Sequence, residues 1–160
     1  MVEEQIDWRK TVEAILENAN RPFVPISKSF IQQPRGSKER SSVLSQFVTN
    51  GDLRGLKAYL LIAASASSPD TDNEWYTSLP LQTWARAFGC SETAGSVATA
   101  KAAATRILLR LQQRGLIEKS RCGKECKIKI KLLAQDGSGE EYQRPASRYI
   151  RPVSYTHLRA

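Results

Sequence analysis

Residues 97–132 read VATAKAAATRILLRLQQRGLIEKSRCGKECKIKIKL, and the fold turns on how this stretch is parsed. Ala100, Ala103, Ala104, Ile107, Leu108 and Leu111 recur at spacings of three and four. One helical face is therefore apolar, while Lys101, Arg106, Arg110 and Arg114 project elsewhere. Gly115 stops the helix, since glycine can take the left-handed conformation that follows a last turn. Ile117 then opens a strand, Cys122 to Cys126 makes a tight turn, and Lys127 to Leu132 alternates lysine with hydrophobe at period two. The expected unit is a helix, a glycine stop and a basic hairpin.

Charge is concentrated in the same place. Between Val97 and Lys131 there are ten Lys or Arg against two acids, Glu118 and Glu125, a surplus of eight. The whole chain has 24 basic and 16 acidic residues, also a surplus of eight, so everything outside this stretch sums to zero. A polyanionic partner would meet one face, with no compensating acid close by in sequence. At 160 residues, 41% hydrophobic and with seven prolines, the chain can bury one core plus peripheral elements. No run approaches the roughly 18 to 20 apolar residues of a membrane span, and the acidic start Val2-Glu3-Glu4 is unlike a secretory leader. The expectation is a soluble, cytoplasmic protein with no membrane partner. Three cysteines, an odd count, make no disulfide framework.

Outward from the centre, residues 3–20 predict a helix with Trp8, Val12, Ile15, Leu16 and Ala19 on one stripe, ended by Pro22. It can pack on its own core or serve docking, including homodimerisation. Residues 23–31, FVPISKSFI, suit an edge strand or extended segment. Residues 32–41 form a breaker-rich loop whose Arg35, Lys38 and Arg40 are read as solvated. Ser42 to Val48 predicts a short helix. Asp52 caps a longer one whose buried stripe is expected at Leu53, Leu56, Tyr59, Leu60, Ala63 and Ala64. After the loop SSPDTDNE, with Asp70, Asp72 and Glu74 read as surface acids, Trp75 to Leu79 can form a short strand at the edge of the hairpin sheet. Pro80 starts a helix with Leu81, Trp84, Ala85 and Phe88 on one side, closed by Gly89. Cys90 to Ser96 is the next turn, with Ser91 as cap and Glu92 in the first turn of the central helix.

Helix, short strand, helix, turn, helix, strand, hairpin turn, strand is the order of a winged helix-turn-helix. The expected class is mainly α with a small β-sheet: a three-helix core, a β-hairpin wing and an N-terminal accessory helix. The divisions are 1–22 for the accessory helix, 23–136 for the winged domain, 137–152 for a linker toward a second domain, and 153–160 for a tail foreign to the chain. A major groove admits one α-helix. Thr99, Lys101, Ala102, Thr105 and Arg106, in the first half of the helix at about 96–114, are candidates for base edges. Arg110, Arg114, Lys119, Arg121, Lys124, Lys127, Lys129 and Lys131, the last six on the wing at 117–132, are candidates for phosphates. Engagement of about five to seven of them would give a log–log salt slope of roughly −4.5 to −6.

Enzymatic chemistry is not expected. Cys122 and Cys126 flank the turn, but a zinc site needs four ligands and only Cys90 remains. The single histidine, His157, lies in the tail, so no nucleophile–base constellation forms. Gly137-Ser138-Gly139 lacks the lysine and helix of a phosphate loop, and no cofactor is implied. Trp8, Trp75, Trp84 and Phe88 are read as core rather than as base-stacking platforms.

Across residues 23–152, the layout from Leu79-Pro80-Leu81 through the basic helix and hairpin to KLLAQDGSGEEYQRP and RYIRP resembles bacterial winged-helix proteins akin to plasmid replication initiators and regulators. The DGSGEEY junction is its most specific motif. The resemblance implies duplex DNA binding, with transcriptional regulation as the first expectation and plasmid or phage replication initiation as the alternative. A protein-interaction module is the alternative from another class. Val153 to Ala160 resembles translated sequencing-adapter sequence, which places the native end of this stretch near Pro152 and leaves room for a second domain.

Overall fold

The computed structural model describes residues 8–19, 24–33, 41–67, 75–90, 95–122 and 127–143. Outside them lie the expectations for Arg35, Lys38, Arg40, Asp70, Asp72, Glu74, Ser91, Glu92, Lys124 and the chain beyond residue 143. Six helices and three strands follow in the order α1 (Trp8–Ala19), α2 (Lys28–Ile31), α3 (Val43–Thr49), α4 (Leu53–Ser65), β1 (Tyr76–Pro80), α5 (Leu81–Ala87), α6 (Val97–Gln113), β2 (Ile117–Cys122) and β3 (Lys127–Leu132). The protein is mainly helical with one small antiparallel sheet, ordered β1-β3-β2.

Local chemistry sets the helix starts. The Ser42 hydroxyl accepts from Ser45 N–H at 3.2 Å to open α3, and Asp52 Oδ1 accepts from Gly55 N–H at 3.1 Å to open α4. Ser96, not Ser91, caps α6, its hydroxyl accepting from Thr99 N–H at 3.2 Å. At the other end Gly115 has φ +73°, and a Cβ there would lie 2.6 Å from the Gly137 carbonyl oxygen. Only glycine meets both conditions, the left-handed backbone and the close approach.

The core gathers Ile15 of α1, Phe47 of α3, Tyr59 and Ile62 of α4, Trp84 and Phe88 around α5, five residues of α6, and Ile117, Ile130 and Leu132 of the sheet. On α6 the buried set is Ala100, Ala104, Ile107, Leu108 and Leu111, with Ala103 half-buried. On α1 only Ile15 is fully buried, and Leu16 is 41% exposed.

Two expectations are met only in part. The segment 23–31 contributes no strand among its described residues: Val24 to Ser27 is irregular, and the Ser27 hydroxyl then caps the single turn α2. Phe30 drives this, because its ring enters the core and stacks on Tyr59 with centroids 5.2 Å apart. On α4 the expected stripe holds at Tyr59, Ala63 and Ala64, with Leu56 and Leu60 half-buried, and fails at Leu53. Leu53 is 70% exposed, whereas Gly55, Ala58, Tyr59, Leu61, Ile62, Ala63 and Ala64 are buried. This helix packs against α1, α3, α6 and the sheet, so its second half is covered all round and small residues serve where neighbours approach.

The loop after β3 folds back on this body. Leu133 bridges Glu141, and Tyr142 is buried with its ring edge-on to Trp75 at 6.1 Å. Buried Gln135 donates to the Pro25 carbonyl at 3.2 Å and accepts from Ser27 N–H, which ties this loop to the segment before α2. Within 137–143, read from sequence as the start of a linker, Tyr142 alone is buried, and the rest of the segment is half-buried or exposed. No helix among the described residues is long and apolar enough to cross a membrane.

Candidate nucleic-acid interface

With Ala100, Ala104, Ile107, Leu108 and Leu111 turned inward, α6 has one outward stripe and two flanks. Thr99, Ala102, Arg106, Leu109 and Gln113 recur at three and four on the stripe and are all exposed. Arg106 has no ion pair among the described residues. Lys101 and Thr105, both half-buried, lie on the flank that also carries Gln112. That flank faces β2, because Gln112 Oε1 accepts from Lys119 N–H at 3.2 Å. The Thr105 hydroxyl donates to the Lys101 carbonyl at 2.9 Å, so its proton is held within the helix.

The opposite flank belongs to a different neighbourhood. Arg110 Nη2 meets Asp52 Oδ1 at 3.1 Å, and Arg114 Nη2 meets Asp52 Oδ2 at 3.6 Å. The Arg114 guanidinium lies 4.4 Å from the centroid of the Phe47 ring, and its side chain is 18% exposed. One nearly buried carboxylate thus serves two arginines while capping α4. The expectation that no acid compensates this stretch is corrected here, since Asp52 arrives from 58 residues upstream of Arg110. Arg114 is occupied in packing and pairing, and Arg110, 46% exposed, keeps only part of its fork for another partner. The basic character of this side extends to Cys90, three residues past α5. Burial pushes its thiol pKa up, while Arg54, Arg110 and Lys57 pull it down.

The hairpin register separates lysines that adjoin in sequence. Lys129 pairs with Ser78 and Ser120, and Lys131 with Tyr76 and Glu118, so these side chains share the sheet face turned away from the core. There Lys129 Nζ lies 4.5 Å from the Tyr76 ring centroid, and Lys127 is exposed. Lys119 pairs with core-facing Ile130, and Arg121 with Ile128. Both positions therefore lie on the helix side of the sheet, next to α6. Of the thirteen sequence candidates, the twelve among the described residues fall into three groups. Thr99, Ala102 and Arg106 stand on the outward stripe of α6, while Lys101 and Thr105 share the flank that meets Lys119 of β2 further along, at Gln112, with the Arg121 position on the same side of the sheet. Arg110 and Arg114 gather at Asp52. Lys127, Lys129 and Lys131 occupy the outer sheet face, and Lys124 lies outside the described residues.

Asp52 is the participant that sequence reasoning missed. Its cap position was visible, but nothing local shows which helix packs across that cap. Among the described residues no three His, Cys, Asp or Glu side chains gather as a metal site. Comparisons with protein-family models, curated proteins and solved structures find no match for this chain.

Proposed function

We propose that this chain is a winged helix-turn-helix protein that binds duplex DNA, with α6 as the recognition helix and the β2–β3 hairpin as the wing, and that it acts in transcriptional regulation. The carrying observation is the outward stripe of α6. Arg106 stands on it with no ion pair among the described residues, beside a flank that brings Lys101 and Lys119 to the same side. A helix of 17 residues whose exposed stripe carries Thr99, Arg106 and Gln113 matches what a major groove admits. The antiparallel order β1-β3-β2, following α4, β1, α5 and α6, is the connectivity such a domain requires.

Fluorescence anisotropy with a labelled random duplex across a salt series tests this. With Arg114 withdrawn and Arg110 shared, about four to six phosphate contacts remain, for a slope of roughly −3.6 to −5.4. Replacement of Arg106 by Ala should weaken binding about tenfold or more. Indifference of the folded protein to duplex at low salt rejects the proposal. A protein partner is the second reading, favoured by Val97 and Leu109, which are 53% and 39% exposed on α6. Selection from a DNA library separates regulation from replication initiation, because an array of repeated sites assigns the latter.

A further inference from the structure

A cavity of about 500 Å³ opens between α2, α3, the end of α6 and the loop after β3. That size is ordinary for a small-molecule site. Arg114 and Asp136 both line it, with Gln32, Gln33, Gln46 and Ser138 adding amides and a hydroxyl. Unlike the outer stripe of α6, this wall carries both signs of charge.

Several polar atoms of this wall keep hydrogen-bonding capacity. Arg114 Nη1 is closed off from the cavity, so what this residue can offer is Nε and Nη2, neither of which makes a hydrogen bond among the described residues, Nη2 lying 3.6 Å from Asp52 Oδ2. Asp136 commits Oδ1 to Ser138 N–H at 2.9 Å, which leaves Oδ2 as an acceptor. Gln46 donates through Nε2 to the Ser41 carbonyl at 3.1 Å, which leaves Oε1. The Ser138 hydroxyl accepts from Glu140 N–H at 3.3 Å and keeps its own proton to donate. The loop bearing Asp136 and Ser138 is held by these turns and by the close approach of Gly137 to Gly115, so the wall is formed in advance.

We propose that this cavity binds a free amino acid or similar small zwitterion, its carboxylate toward Arg114, its ammonium toward Asp136, and its polar remainder among the glutamines. A dicarboxylate would bring like charge to Asp136, and a diamine would bring like charge to Arg114. Neither the site nor its test depends on DNA binding.

The test is a ¹⁵N-edited NMR titration of the full chain with glycine and with L-glutamine, beside succinate and putrescine. Saturable shifts of the Gly137 and Ser138 amides and the Gln46 side-chain amide are expected with both zwitterions, and much smaller shifts with the two controls. Asp136→Asn keeps a carbonyl to accept from Ser138 N–H, so the loop survives, yet affinity should fall a few-fold to about tenfold. Absence of saturable shifts at these amides with both zwitterions overturns the proposal. So does equal binding of succinate or putrescine, or an Asp136→Asn protein that binds as well as the parent.

Discussion

Arg106 and Arg114 stand eight residues apart on one helix and have opposite fates. Arg106 is exposed on the outward stripe, without an ion pair among the described residues. Arg114, two turns on, lies against Phe47 and Asp52 at the helix end. Identical chemistry is therefore left open on the surface at one position and drawn against the core at the other, and the difference comes from what packs across each flank. A charge count treats the two alike. An ion pair that is nearly buried is part of the body of the protein, and a free guanidinium on an open face is what a polyanion can use.

The largest effect expected at the structural end comes from the glycine next to Arg114. Gly115→Ala combines a left-handed backbone with a Cβ 2.6 Å from the Gly137 carbonyl oxygen. Strain and displacement of the loop together should cost about 3 kcal/mol, read as a lower urea midpoint at unchanged slope. Arg114→Ala follows at about 2 kcal/mol, because it removes the contact with Phe47 and one of the two charges on Asp52. If Arg114→Ala proves neutral in urea, Arg114 belongs with Arg106 and the contrast between the two ends is gone.

Asp52→Asn sharpens the comparison by separating cap from counter-ion. Asparagine caps a helix as well as aspartate does, so α4 keeps its start, while Arg110 and Arg114 lose their shared charge. The expected cost is about 1 kcal/mol, less than that of Arg114→Ala because the ring contact with Phe47 persists. On the proposed function the same substitution should tighten duplex binding and steepen the salt slope by about one, since Arg110 is released to a phosphate. Loss of stability without any change in slope would place Arg110 off the DNA path.

What could be read beforehand was whatever is local. The apolar face of α6, its stop at Gly115 and the alternation in Lys127 to Leu132 depend on neighbours within four residues, and each is where the spacing puts it. The expected α4 stripe holds at Tyr59, Ala63 and Ala64 and fails at Leu53, because the leucines at 53, 56 and 60 compete with Gly55, Ala58 and Ile62 for the inward face. Which face turns inward depends on helices elsewhere in the chain. The candidate site was legible in composition and not in grouping. Lys119 and Lys129 look equivalent in sequence, yet the pairing of Lys119 with Ile130 and of Lys129 with Ser120 sends them to opposite faces. The pairing of Asp52 with Arg110 spans 58 residues, beyond any local pattern.

The smallest stability effect is expected at Arg106, and there a near-zero value is the informative one. An exposed helical arginine with no ion pair among the described residues contributes little beyond helix propensity, so Arg106→Ala should change stability by less than about 0.5 kcal/mol. Arg110→Ala, at a position only four residues on, should cost more, because it leaves Asp52 with the longer contact to Arg114 alone. Urea midpoints of the two proteins, measured together, decide this. Equal midpoints would mean that the 3.1 Å pair with Asp52 is worth nothing in solution, as many half-exposed pairs are, and that Arg110 is as available to a partner as Arg106. A lower midpoint for Arg110→Ala alone would locate the boundary between the structural and the open parts of α6 between these two residues, within a single helical turn.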